Sequence, residues 1–304
     1  MDASLVTVVL PTFNRLELLR AAVDSVLAQT FAAWELIVVD DGSREDTRGY
    51  LRGLRDPRVS VVFADHTGVP AVARNRAIAR ARGRYVAFLD SDDRWAPEKL
   101  TRQLALMRSS PGRRWSYTAV RRIDAAGNEI TTRSVPWAPH SGWIVEQVLR
   151  VDAQIATPTV LAELELVREL GGFDERMRFI EDYDLWARMA LASEAAVESA
   201  PLADVRSHAA HFTADRAGKL GGWASFHAKM EALVPTRALR ALCRRRKREY
   251  LLALAAEQAQ GRDWAGMRST VIAAARAGAI RPLGWLRVAR AAAFPARVAA
   301  TESD

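Results

Sequence analysis

Tyr85-Val86-Ala87-Phe88-Leu89-Asp90-Ser91-Asp92-Asp93 is the stretch on which the fold is read. Five apolar or aromatic residues shortly after Gly83 have the length and composition of a buried strand. The run stops abruptly in three carboxylates within four residues. Open α/β sheets bind their ligands at the carboxyl ends of their strands. Clustered like charges repel, and a cation or a set of donors holds them together. A hard divalent metal with oxygen ligands meets that need. Taken alone, the same acids serve equally well as an acidic turn capping the next helix.

Working outward, Leu5-Val6-Thr7-Val8-Val9-Leu10 reads as a buried parallel strand, broken by Pro11-Thr12-Phe13-Asn14-Arg15. Asn14 is the expected N-cap of a helix in which Leu16, Leu19, Val23, Val26 and Leu27 recur at helical spacing. Trp34 to Val39 is a second strand, ending in Asp40-Asp41-Gly42-Ser43, and Val59 to Phe63 a third. A Gly-containing loop, His66 to Pro70, leads to a helix predicted over 71–82 and closed by Gly83 as its C′ residue. Alternation of strand and helix argues for βαβ units and a parallel sheet. Two of its strands end in acids, Asp40-Asp41 and Asp90-Ser91-Asp92, and parallel strands put both sets on one edge.

After a helix over Pro97 to Met107, the pattern changes. Trp115 to Tyr117 and Ala119 to Ile123 read as two short strands, with a turn over Asp124 to Asn128. Thr131 to Gly142, holding Trp137 and His140, reads as a long loop of the kind that forms lids and binding loops. Ile155 to Val160 is expected to be extended and Glu163 to Leu170 helical. Gly171-Gly172-Phe173-Asp174 turns the chain into a helix opening Glu181-Asp182-Tyr183-Asp184-Leu185-Trp186. Acids at a helix start also simply complement its dipole. From Thr236 the chain is rich in Ala, Arg and Leu, with helices predicted over 236–260, 263–277 and 283–293.

The chain has 304 residues, 49% hydrophobic and 26% charged, with a net charge of +8. That is globular composition, long enough for one large domain and a small one. Cys243 is the single cysteine, so an internal disulfide is excluded. The N-terminus has neither a basic start nor a cleavage-site pattern, and charges interrupt every apolar stretch before it reaches a membrane span. A cytoplasmic protein is expected, at most peripheral at the inner face of a membrane. The positive charge is almost all arginine and densest from Arg240 to Arg248. A nucleic-acid partner is not expected. The basic cluster is suited to an anionic lipid surface, or equally to a solvated face or a contact between copies.

Five motifs in order carry a family resemblance: Val9 to Arg15, Val38 to Ser43, Ala73-Arg74-Asn75-Arg76-Ala77, Phe88 to Asp93, and Gly171 to Asp174 with Glu181 to Trp186. Together they resemble the inverting family 2 glycosyltransferases, over about residues 4 to 215. The resemblance implies a GT-A fold, an α/β architecture with a mostly parallel central sheet, assigned to 1–230; the remainder, 231–304, lies outside it and is expected from its composition to be a small α-helical region. It implies transfer of a sugar from a nucleotide donor, UDP-linked in the first instance, to a hydroxyl acceptor. That acceptor is a lipid-linked sugar, a saccharide, a small molecule or a protein. Pro11, Thr12, Phe13 and Arg15 would line the nucleotide pocket, Asp41 would accept from the base, and Arg74 would lie near the phosphates. Asp90 and Ser91 would approach the ribose. Asp92 would bind Mn²⁺ or Mg²⁺, with His208 as a further ligand and His211 as its competitor. Asp182 would be the catalytic base. Trp137 is placed for acceptor contact, and Trp186 for core packing.

Two other readings stand beside this one. A nucleotidyltransferase of related fold would need a Gly-rich phosphate loop after the first strand, which Pro11 to Arg15 lacks. A non-catalytic binding module of the same fold would have no reason to keep both Asp92 and Asp182.

Overall fold

The computed structural model describes residues 5–130, 137–207 and 215–278. The chain divides into two compact units, Met1–Ala209 and Ala210–Asp304. The first is built on an eight-stranded sheet of β1 (Val6–Thr12), β2 (Trp34–Asp40), β3 (Val59–Phe63), β4 (Tyr85–Phe88), β5 (Arg94–Trp95), β6 (Trp115–Ile123), β7 (Leu161–Glu163) and β8 (Ala195–Arg206). Their spatial order is β3-β2-β1-β4-β7-β6-β8-β5. β3, β2, β1 and β4 are mutually parallel, while β7 runs antiparallel to both β4 and β6. Every residue of β2, and all of β1 except Pro11, is buried on both faces, which is why these strands are continuous apolar runs.

The helices of this unit are α1 (Leu16–Leu27), α2 (Glu45–Gly53), α3 (Pro70–Ile78), α4 (Lys99–Arg108), α5 (Val145–Arg150), α6 (Leu164–Glu169) and α7 (Glu181–Ala192). Leu19, Val23 and Val26 of α1 enter the core formed by Val6, Val8 and Leu10 of β1 and Leu36 and Val38 of β2. Trp186 is fully buried and packs edge-on against Phe173 and obliquely against Phe88, the core role expected of it.

Several elements differ from the sequence expectation. Helix α3 ends at Ile78, not at 82, and Gly83 is not its cap. The backbone there turns inward against β1. The Gly83 amide donates to Thr7 Oγ1 at 2.9 Å, and a Cβ on Gly83 would lie 2.6 Å from both Thr7 N and Tyr85 O. Glycine is required by that close approach, since no side chain fits. The two strands predicted over 115–123 are one, β6, whose register against β8 shifts around Ala119. The 155–160 segment holds a 3₁₀ turn, Thr157–Thr159, leading into β7. Helices α2 and α5 and strand β8 had no apolar periodicity to announce them. Only Thr47 and Leu51 of α2 are buried, and Glu198, Ser199 and Pro201 interrupt β8.

The second unit contains α8 (Arg216–Leu233), α9 (Arg237–Gln260) and α10 (Trp264–Arg276). Thr236 caps α9 by accepting from Leu239 N at 3.2 Å, and Asp263 caps α10 through Gly266 N at 2.9 Å. Trp223 of α8 stacks on Tyr250 of α9 at 5.6 Å, with buried His227 between neighbouring rings. Helix α8 therefore goes with the C-terminal helices, and the division falls at 209/210 where the sequence reading placed it at 230. The helix expected over 283–293 lies outside the described residues. No helix among the described residues is long and apolar enough to cross a membrane.

Candidate active site

Four loops leave the carboxyl ends of β1, β2, β3 and β4 on one edge of the sheet, as the parallel register requires. The loop after β1 joins its neighbours on both sides. Asn14 has φ +52°, a left-handed conformation that asparagine tolerates better than most residues. Its amide donates to Ser43 Oγ at 2.9 Å, and its side-chain Oδ1 accepts from Arg44 N at 2.8 Å. Asn14 thus ties the β1 loop to the β2 loop and does not cap α1. Arg15 occupies the N-cap position, where its side chain makes no capping bond. Instead its guanidinium reaches the other way and pairs with Asp92.

The β2 loop is anchored by Asp40, which accepts from Ser43 N at 3.1 Å and from Arg48 Nε at 2.9 Å. Asp41 accepts from Thr67 N and Thr67 Oγ1, both at 3.0 Å, and from Gly68 N at 2.9 Å. The sequence reading left its carboxylate for a base; here it also organises the β3 loop. His66 in that loop lies with Nδ1 2.8 Å from the Asp41 carbonyl. Its ring stacks on Phe13 at 4.0 Å and 19°. Phe13 is 39% exposed, so this aromatic pair is an open platform beside Asp41. Pro11 is half-buried, and Thr12 is buried with an unpartnered Oγ1.

The acids after β4 separate into three environments. Asp90 accepts from Arg74 Nη2 at 2.7 Å. Ser91 and Asp92 are buried, Asp92 beside the Arg15 guanidinium. Asp93 is also buried and accepts from Arg206 N at 2.9 Å. Burial, together with the charges of Asp90 and Asp92, pushes the Asp93 carboxyl well above the usual range. Arg206 also donates through Nε to the Asp92 carbonyl at 3.0 Å and through Nη1 to the carbonyls of Asp124 and Ala125. It pins the acidic loop to the 124–128 turn.

Helix α7 brings the remaining carboxylates. It opens at Ile180, a β-branched residue held at φ +65°, an outlier of the kind that clusters at functional sites. Glu181 follows, buried, accepting from Arg74 Nη1 at 2.8 Å. Arg74 is only 4% exposed and bridges Asp90 and Glu181 while its guanidinium lies over the Phe173 ring. The sequence reading placed Arg74 near phosphates; its guanidinium is engaged by these two acids. Burial raises the Glu181 carboxyl to about 7, against the opposing pull of Arg74. Half-buried Asp182 accepts from Tyr183 N at 2.8 Å and from Thr157 Oγ1 at 3.2 Å. Burial raises its carboxyl too, with Arg74 opposing. Asn75, the neighbour of Arg74, holds the approach to α7. It donates to Phe173 O and accepts from Phe173 N, both at 2.9 Å.

The structure thus gathers Phe13, Arg15, Asp41, Arg74, Asp90, Ser91, Asp92 and Asp182 on the loops and helix starts of one sheet edge. His208 and His211 lie outside the described residues. Trp137 is half-buried, with its ring edge-on to Tyr117. The sequence reading missed His66, Thr157 and the partners of Arg74. Spacing alone carries no signal for them, because their contacts join residues 16 to 107 apart.

Residues 7–141 match the family described as glycosyl transferase family 2. Those residues form a family 2 glycosyltransferase domain. The domain is 41% identical over 107 residues to WfgD of Escherichia coli, named a UDP-Glc:alpha-D-GlcNAc-diphosphoundecaprenol beta-1,3-glucosyltransferase. That match covers 35% of this chain and 42% of WfgD. A Rickettsia bellii protein designated an uncharacterized glycosyltransferase is 36% identical over 182 residues, 60% of this chain and 26% of its own length. The chain therefore spans well under two thirds of these relatives. Among solved structures, the Pyrobaculum calidifontis mannosyltransferase PcManGT, in complex with GDP-Man and Mn²⁺, aligns with TM-score 0.62 at 19% identity. The alignment covers 96% of this chain and 81% of that one. The family 2 domain has the GT-A fold, with a mixed, mostly parallel sheet.

Proposed function

We propose that this protein is an inverting glycosyltransferase that moves a sugar from a nucleoside-diphosphate donor to a hydroxyl acceptor in polysaccharide or glycolipid synthesis. The observation that carries the reading is the Arg74 bridge. It sets the strand end bearing Asp90 and Asp92 beside the helix start bearing Asp182. That is the arrangement an in-line displacement needs, with donor-binding acids on one side and a base on the other.

Phe13 and His66 offer a stacking surface for a nucleobase, with Asp41 beside it as an acceptor for a base N–H. Asp90 and Ser91 would receive the ribose. The acceptor oxygen attacks the anomeric carbon as the bond to the diphosphate oxygen breaks, and that electron pair leaves with the nucleoside diphosphate. The acceptor's proton passes to Asp182. A carboxyl raised by burial holds a transferred proton better than an ordinary aspartate does.

The acids after β4 supply the oxygen ligands a hard divalent cation takes, while no three His, Cys, Asp or Glu side chains among the described residues are grouped to hold one by themselves. Three carboxylates lie within four residues, and burial first, then the charges of Asp90 and Asp92, raises the Asp93 carboxyl. Asp92 would hold Mn²⁺ or Mg²⁺, with His208 as the further ligand. When bound, such an ion supplies Lewis-acid neutralisation of the diphosphate charge. WfgD's UDP-sugar donor and lipid-linked acceptor support a UDP donor and an acceptor of that kind here. PcManGT's GDP-Man makes GDP the competing nucleotide.

The second unit would bring the site to a membrane-borne acceptor through its basic helix. Within Arg240 to Arg248, Arg244 pairs with Glu231, and Arg245 and Arg246 with Glu249, so part of the cluster is internally neutralised. Arg240, Lys247 and Arg248 would carry the lipid contact.

A thermal-shift screen of UDP-glucose, UDP-N-acetylglucosamine and GDP-mannose, with and without Mn²⁺, tests the donor reading. One nucleotide sugar should raise the melting temperature in a Mn²⁺-dependent way. No shift with any donor contradicts it.

A further inference from the structure

We propose that Thr157 is a positioning residue for Asp182, holding the carboxylate ionised and aimed at the acceptor hydroxyl. This rests on the reading of Asp182 as the base. Thr157 opens the 3₁₀ turn Thr157–Thr159, and all three residues of that turn are buried. Its hydroxyl lies 3.2 Å from Asp182 Oδ2, while Asp182 Oδ1 accepts from Tyr183 N at 2.8 Å. One donor on each oxygen fixes the carboxylate plane. Each oxygen keeps lone-pair capacity for the proton of an incoming hydroxyl.

The turn is itself braced from the opposite side of the site. Trp95, three residues beyond Asp92, donates through Nε1 to the Pro158 carbonyl at 2.8 Å. Buried Gln103 of α4 donates to the Thr159 carbonyl at 3.0 Å and to Ser116 Oγ at 3.1 Å. The Thr159 hydroxyl closes the turn onto the Ala156 carbonyl at 2.6 Å. Backbone held in this way gives Thr157 little freedom to follow Asp182 if that side chain moves. The acidic loop, through Trp95, and the base, through Thr157, are thereby referenced to one rigid turn.

The other charged groups facing Asp182 are Arg74 from α3, Asp90 from the end of β4, and Glu181 beside it on α7. Arg74 favours the ionised form; Asp90 and Glu181 oppose it. Thr157 is the neutral donor in the set. A hydroxyl donor to a carboxylate favours ionisation, offsetting part of the burial that raises the group. Without it the base takes up its proton at higher pH.

The test uses the full chain and the donor selected by thermal shift, following release of nucleoside diphosphate from pH 5 to 9. Thr157→Val keeps the shape and removes the donor; Thr157→Ser keeps the donor. In the valine variant the acid limb of the profile should move up by about half to one pH unit, the scale of one hydrogen bond to a charged group. At any pH on that limb the rate should fall about three- to ten-fold, the plateau above the limb should hold, and nucleotide affinity should be unchanged. The serine variant should return the limb toward wild type. A valine profile that superimposes on wild type overturns the proposal. So does a serine variant displaced as far as the valine one, or a valine variant that loses nucleotide binding. Asp182→Asn separates the two levels. If it stays active, the base assignment fails. If it is inactive while Thr157→Val leaves the limb in place, only the role of Thr157 fails.

Discussion

Replacing Arg74 by methionine keeps an unbranched chain of similar length and removes the one cation shared by Asp90 and Glu181. The cost has two parts with different pH dependence. Asp90 is partly exposed, 29% for its side chain, so water takes over much of Arg74's role there. Lost hydrogen bonding and packing on Phe173 then cost about 1 kcal/mol at any pH. Glu181 is buried and must keep its proton once Arg74 is gone. In the wild type it releases that proton near pH 7. Forbidding the release costs next to nothing at pH 6 and about 1 kcal/mol at pH 8. The sign follows from a carboxyl raised on folding. The wild type itself loses stability as pH rises from the unfolded value of 4.5 toward about 7, and the variant goes on losing it above 7. Destabilisation should therefore be about 1 kcal/mol at pH 6 and about 2 kcal/mol at pH 8. Pulsed hydrogen exchange through a urea titration, read on the peptide spanning α7, measures it. A destabilisation equal at the two pH values, or larger at pH 6, refutes the assignment of Arg74 as the counter-charge of Glu181.

Other outcomes follow from single observations. Gly83→Ala should lower stability by about 3 kcal/mol or abolish soluble expression, because its Cβ meets backbone on two sides at 2.6 Å; urea melts of the variant check this. His227 is fully buried with neither ring nitrogen hydrogen-bonded, and burial lowers it to about 3. A histidine lowered on folding makes the unfolded chain the better proton binder, so stability falls as pH drops below about 6.5. The loss at pH 5 is about 2 kcal/mol. Hydrogen exchange of the α8 amides should show that loss in the wild type and not in His227→Phe. Phe13→Ala should weaken nucleotide binding about ten-fold by calorimetry, the scale of one stacked base, with Mn²⁺ dependence retained.

The parts of this fold legible in sequence are those where burial dictates composition. β1, β2 and β4 are covered on both faces and could only be apolar runs, and their acids at one edge follow from parallel register. The same logic hid α2 and β8. One exposes most of its surface, and the other carries polar residues and a proline, so neither shows a period. At the site, residue types at strand ends pointed to a metal–nucleotide cleft, but their partners were not readable. Asn14 looked like a cap and is a loop tie. Arg74 is expected near the phosphates, and its pairing with Asp90 and Glu181 has no local signal. Such contacts depend on where the loops go after they leave the sheet, and local pattern does not encode that. The family resemblance supplied Asp182, and only the folded chain shows Thr157 beside it.

The central claim separates two carboxylates by role, and a single pair of variants tests it. Nucleotide binding and nucleotide-sugar turnover should be measured together for Asp182→Asn and Asp92→Asn across a Mn²⁺ titration. Asp182→Asn should lose about 10²–10⁴-fold in turnover while Mn²⁺-dependent UDP binding stays within two-fold of wild type. Asp92→Asn should lose the Mn²⁺ dependence of binding itself. Equal loss of binding in both variants, or turnover that survives in Asp182→Asn, contradicts the account.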